Sequence, residues 1–173
     1  MKRRTLAAAT AALLMTSALG MSACSSELVA QSGSSSAQSA ANLDHERISS
    51  VLETVGGVMA TADASLNAAD LGDQVTKGAL EMRTAQYALA NANGQALPPL
   101  DFEPTSLAIT NSDSWPRAIF NISDTSSTAL PVLEVYVQDS ARSDYKLTNY
   151  ARLLGGTHLT LPSVGTGSAY VTG

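Results

Sequence analysis

At 173 residues the chain has room for one domain of ordinary size and hardly for two. Hydrophobic residues at 45% exclude a wholly disordered protein, and charged residues at 14% are sparse for a cytosolic one. The net charge is −5, and the basic residues beyond the first four positions are scattered; no phosphate track or polybasic patch forms, which argues against nucleic acid or anionic lipid as a partner.

The first element in chain order is an export signal. Lys2, Arg3 and Arg4 precede an apolar run from Leu6 to Met15, and small residues then lead to Cys24. Met21-Ser-Ala-Cys24 has the layout of a lipobox, where bacterial lipoproteins are cut before the cysteine and acylated on it; Met21 stands where leucine is commonest. Plain secretion and a retained transmembrane helix are the competing readings. A spanning helix wants about 20 strongly apolar residues, and Thr5, Thr10, Thr16, Ser17 and Ser22 dilute this run. Cys24 is the only cysteine, so there is no disulfide framework, and acylation uses up a thiol that an oxidising compartment would attack. Residues 1–23 are therefore read as a signal peptide, and Cys24 as a lipid anchor to the outer, extracytoplasmic face of a cell membrane. Losing the three basic residues with the signal takes the net charge to −8.

Residues 24–42 carry the lipidated cysteine and a spacer in which seven of the eighteen positions from Ser25 to Asn42 are serine. Such a segment buries too little to order itself, and as a flexible tether it reaches roughly 23 Å. The folded domain is expected over 43–173. Asp44 is a good helix N-cap, with Leu43 and Ile48 at the spacing of a hydrophobic staple. Ile48, Val51, Leu52, Val55, Val58, Met59 and Ala62 follow a helical period. Gly56-Gly57 interrupts it at about 1 kcal/mol per glycine, unless the pair lets another element come close. A second helix is predicted from Lys77 to Ala92, ended by Asn93-Gly94 as C-cap and turn.

Beyond Pro98-Pro99 the alternation becomes period two. Strands are predicted over 105–110, 117–122, 132–138 and 145–153, with Ala118, Phe120 and Ile122 sharing one side of the second. A short fifth piece is read at Leu159–Leu161 after Gly155-Gly156. Helices followed by an antiparallel meander give an α+β fold, with the helices on one face of a curved antiparallel sheet of four to five strands.

Three stretches together carry a resemblance: Glu81-Met-Arg-Thr-Ala-Gln-Tyr-Ala-Leu-Ala90, Trp115-Pro-Arg117, and Gln138-Asp-Ser-Ala-Arg-Ser-Asp-Tyr-Lys-Leu147 with Ala151-Arg-Leu153. Over Leu43 to about Thr172 the chain resembles an uncharacterised family of actinobacterial membrane lipoproteins. The architecture implied is a cone-like, NTF2-like α+β domain, by analogy. Members of that family usually continue beyond the counterpart of Gly167–Thr172, which implies a truncated or abbreviated member and an incomplete C-terminal part. The resemblance supplies no activity and no site residues.

Chemistry-bearing motifs are few. His45 falls in the first turn of the first helix and reads as solvent-facing, and His158 lies in a loop; neither has a metal-ligand partner at useful spacing. No Gly-x-Ser-x-Gly elbow, P-loop or dinucleotide fingerprint occurs, and Gly165-Thr-Gly167 lacks the third glycine. No catalytic residue, metal ligand or cofactor is assigned. Asp139 and Asp144 flank Arg142 and read first as turn chemistry, with a polar recognition loop as the alternative. Trp115 and Arg117 are either a lid on the core or an anchor for a partner, since tryptophan and arginine are enriched in binding hot spots. Tyr145 and Tyr150, five apart, are expected on opposite sides of a strand, one of them exposed.

The function expected is that of a membrane-anchored, non-enzymatic interaction module of the cell envelope, with Trp115, Arg117 and Arg142 as candidate binding residues and another envelope protein as partner. The alternative is a carrier or sensor holding a small apolar ligand between helices and sheet.

Overall fold

The computed structural model describes residues 42–123, 130–157 and 159–168; Cys24, the signal and tether, the Ser/Thr loop after Ser123 and His158 lie outside them. The order is α1 (His45–Ser65), a 3-10 turn (Ala68–Leu71), α2 (Lys77–Asn93), β1 (Ser106–Ile109), β2 (Arg117–Ser123), β3 (Val132–Gln138) and β4 (Lys146–Arg152). This is an α+β fold: two helices, then a four-stranded antiparallel sheet in the order β1-β2-β3-β4.

Local chemistry sets the helix ends. The Asp44 carboxylate accepts the Arg47 N–H at 2.9 Å, which satisfies one of the free donors of the first turn of α1. Gly94 ends α2 in the left-handed region with φ +71°, its N–H donating to the Ala90 carbonyl. Gly56 admits the close approach anticipated for its pair: a Cβ there would stand 3.2 Å from the Phe102 side chain, whereas Gly57 faces open space.

One core joins both helices to one face of the sheet. Ile48, Leu52, Val55, Met59 and Ala62 of α1 and Ala79 and Tyr87 of α2 share a cluster with Leu107, Ile109, Ile119, Val132, Tyr136, Leu147 and Tyr150. Each fully buried Ile or Leu contributes about 1.5–3 kcal/mol. In register, Ile109 pairs Ile119, Ile119 pairs Tyr136, and Tyr136 pairs Leu147, so the inward row crosses all four strands. Ala118, Phe120 and Ile122 do share a side, but it is the side turned away from the helices, where Ala108, Leu133, Val135 and Val137 are their cross-strand neighbours.

Three expectations need correction. The sheet is neither closed nor strongly curled, so the strongly curved, cone-like form is not seen. Strong curvature calls for repeated bulges or strand glycines; these four strands contain no glycine and the register shifts once, between Val135 and Tyr136. Leu159–Leu161 is not a fifth strand. The outer side of β4 is already taken, because Thr76 N–H donates to the Leu147 carbonyl and Leu147 N–H to the Gln74 carbonyl, both at 2.9 Å. On the outer side of β1, Ser168 N–H donates to the Ile109 carbonyl at 2.7 Å.

The tyrosines depart from expectation because of the one register shift. Val135 faces Asn149 and Tyr136 faces Leu147, which leaves Thr148 as an extra residue in β4. That bulge reverses the alternation, so Tyr145, Leu147 and Tyr150 all join the core, and both tyrosines are buried, at 7% and 6% exposure.

Candidate functional site

Three polar constellations stand out. The first lies on the surface, where the end of the β3–β4 hairpin meets the first half of α1. A groove of about 430 Å³ is lined there by Arg47 and Val51 of α1, by Gln74, and by Gln138, Asp144 and Tyr145 of the hairpin. Leu43 lines it too, carried to that place by the capped start of α1. Beside the groove, Trp115 precedes β2 and is 38% exposed. The Arg117 guanidinium stacks on the Trp115 ring at 4.3 Å from its centroid, an attraction worth about 0.5–1 kcal/mol at exposed sites. Gln138 ties this stack to the hairpin: its Oε1 accepts from Trp115 Nε1 at 3.4 Å, and its Nε2 donates to the Ser143 carbonyl at 2.8 Å. Burial raises the Tyr145 phenol above its ordinary range, and the nearby Arg117 opposes that rise.

The second constellation ties the helices together. Arg83 of α2 is completely buried. Its Nε donates to Asp63 Oδ1 at 2.8 Å and its Nη2 to Asp63 Oδ2, while Nη1 donates to Gln86 Oε1 at 2.8 Å and to the Pro98 carbonyl at 3.0 Å. The Tyr87 hydroxyl donates to Asp63 Oδ1 at 2.6 Å, and the Tyr150 hydroxyl of β4 to Gln86 Oε1 at 3.1 Å. Burial disfavours the guanidinium, but the hydrogen bonds and charge of Asp63 more than reverse this, so Arg83 is held above its ordinary value. Burial and then Asp63 raise Tyr87 well above the usual phenol range. The Arg83 donors are well occupied, which marks this network as structural.

The third is Glu134 of β3, which has no exposure and lies directly opposite Asn121 of β2. Its Oε2 accepts from Asn121 Nδ2 at 3.0 Å and from the Tyr136 hydroxyl at 2.8 Å. Glu134 Oε1 and Asn121 Oδ1 are buried with no hydrogen-bond partner among the described residues. Burial pushes the carboxyl up to about 7, against the pull of its two donors.

The structure thus brings Trp115 and Arg117 together and sets them beside the hairpin that carries Arg142. Arg142 itself is exposed in the turn and makes no hydrogen bond or ion pair with the described residues. Asp139 and Asp144 are both exposed at that turn, and His45 is exposed in the first turn of α1. Cys24 and His158 lie outside the described residues. Among the described residues no group of three His, Cys, Asp or Glu side chains could hold a metal ion, and no helix is long and apolar enough to cross a membrane.

Sequence reasoning passed over Arg83, Asp63, Glu134 and Asn121, although a signal existed for two of them. Arg83 follows Ala79 by four positions and precedes Tyr87 by four, and Glu134 falls midway between Val132 and Tyr136; both are in phase with the buried row. Comparison with protein families, curated proteins and solved structures finds no match.

Proposed function

We propose that this chain is an extracytoplasmic lipoprotein, anchored through Cys24, whose domain acts as a non-enzymatic docking module for another protein of the cell envelope. The resemblance to actinobacterial membrane lipoproteins belongs to the same proposal. The observation that carries the docking reading is the exposed Trp115, held rigid by the Arg117 stack and the Gln138 hydrogen bond at the lip of the groove. A preorganised aromatic with an arginine beside it costs little side-chain entropy on binding, the character of an interface hot spot.

The groove suits a polypeptide segment. Ser50, Gln74 and Tyr145 line it and make no side-chain hydrogen bond with the described residues, which leaves donors and acceptors for a main chain, while Leu43 and Val51 supply apolar contact. A carrier for a small apolar ligand between helices and sheet is the second reading. It draws less support, because Ile48, Leu52, Met59 and Tyr136 fill that space at 0–1% exposure.

A photo-crosslinking amino acid placed at Trp115, at Arg142, and at the exposed Met82 of α2 tests the proposal in producing cells. The same adduct from positions 115 and 142, absent from 82, is the expected result. No adduct from 115 and 142, or an identical pattern from all three, would defeat the docking reading.

A further inference from the structure

Glu134 is the one completely buried carboxyl among the described residues, and its surroundings suit an acid better than an anion. A buried carboxylate needs a cation or donors on both oxygens. Here both donors, Asn121 Nδ2 and the Tyr136 hydroxyl, go to Oε2. The guanidinium groups of the surrounding elements lie elsewhere: Arg83 of α2 bonds Asp63, Gln86 and Pro98, Arg152 of β4 bonds the Pro99 carbonyl, and Arg117 of β2, its Nε buried without a partner among the described residues, stands four residues along the strand from Asn121, opposite Gln138 and over the Trp115 ring. From the segment before β1, Asp101 adds a charge of the same sign. Across the strand pair, Tyr150 of β4 stands opposite Glu134 and gives its hydroxyl to Gln86. Tyr136, on the same strand, is a phenol raised well above its ordinary value and stays neutral.

A proton on Oε1 resolves this arrangement. It converts an unpartnered acceptor into a donor, and the residue directly across the strand pair carries the other unpartnered acceptor, Asn121 Oδ1. Removing that proton leaves a charge between β2 and β4, next to the β4 bulge and four residues before Gln138. Gln138, Asp144 and Tyr145 at the end of that hairpin line the groove.

We infer that Glu134 is a proton-operated latch: neutral while the sheet is closed, and on ionisation loosening the β3–β4 hairpin that walls the groove. The latch stands on the buried geometry alone, and only its consequence for binding rests on the docking proposal. The direction follows from linkage. The carboxyl is raised from 4.5 to about 7 in the folded chain, so between those values the folded state keeps a proton that the unfolded state has released. The contribution to stability is complete below the lower value and is lost as pH rises through the upper one.

The test uses the full chain in detergent, labelled with carboxyl-13C glutamate, and its Glu134→Gln variant. At about pH 5 an infrared carbonyl band of a neutral carboxylic acid, lost by about pH 9 and missing from the variant, is expected. Over the same range the wild-type unfolding constant rises by up to about tenfold per pH unit in the linkage window, and the Glu134→Gln profile is flatter. Amide exchange in the hairpin, corrected for the intrinsic chemical rate, climbs with pH relative to α1 in wild type and not in the variant. A wild-type-minus-variant difference spectrum that shows carboxylate and no neutral acid at about pH 5 overturns the neutral acid, and parallel exchange in both proteins overturns the unlatching. Should the variant fail to fold, a wild-type neutral-acid band at about pH 6, above the ordinary glutamate range, decides alone: its presence supports the neutral acid and its absence overturns it. None of these readouts depends on a partner, so failed crosslinking from position 115 leaves them intact.

Discussion

A charge with no exposure is tolerable only while its partners remain, and Arg83 meets that condition through Asp63, Gln86 and the Pro98 carbonyl. Arg83→Ala leaves the partly exposed Asp63 carboxylate without its cation and with the Tyr87 hydroxyl as a remaining donor, so a loss of about 3 kcal/mol in urea unfolding, the low end for a broken buried pair, is expected. A loss below about 1 kcal/mol would mean that water replaces the guanidinium freely. Neither Arg83 nor Glu134 was legible as an interior residue, since residue type and phase give opposite answers. Composition places arginine and glutamate outside, whereas the 3.6- and 2-residue periods place these two in line with Tyr87 and with Val132 and Tyr136. Phase prevailed because each finds partners within its own neighbourhood: Asp63 and Gln86 for one, Asn121 and Tyr136 for the other.

Within α1 the two adjacent glycines differ in what surrounds them. Gly57 has open space where a Cβ would go, so Gly57→Ala is expected to stabilise the domain by about 0.5–1 kcal/mol through lost backbone freedom in the unfolded chain. Gly56→Ala gains less, because its Cβ would crowd the Phe102 side chain at 3.2 Å. Thermal midpoints of the two variants measured side by side check the difference, and equal gains would mean that Phe102 yields without cost. The helix boundaries were largely legible because Asp44 and Gly94 are chemical stops with hydrogen bonds to match. Strand β3 was legible to the residue as a run of Val, Leu and Tyr bounded by Pro131 and the Asp139-Ser140 turn. The bulge at Thr148 left no such mark: Leu147 and Tyr150 are three apart, which in an unbroken strand means opposite faces. Neither did Leu159–Leu161 show that the outer side of β4 was already bonded by Gln74 and Thr76, from the segment before α2.

For the molecule as a whole, helices first and meander second were readable from the change of period at the two prolines, whereas the curl of the sheet was not. Curl depends on bulges and strand glycines, and the residue pattern shows only that alternation persists. The anchor proposal makes its prediction at this scale. Cys24→Ser is expected to accumulate as an uncleaved precursor without lipid mass, read by intact-protein mass spectrometry of the membrane fraction; an unchanged mature product would sink acylation. Such a tether would confine many copies to a thin layer, where exposed strand edges are the usual seeds of runaway pairing. Gln74 to Thr76 bond the outer side of β4, and Ser168 bonds the outer side of β1, which spans only four residues. Covered at Leu147 on one margin and at Ile109 on the other, the sheet offers only short free stretches of edge to a neighbour's strand, which disfavours edge-to-edge pairing in such a layer.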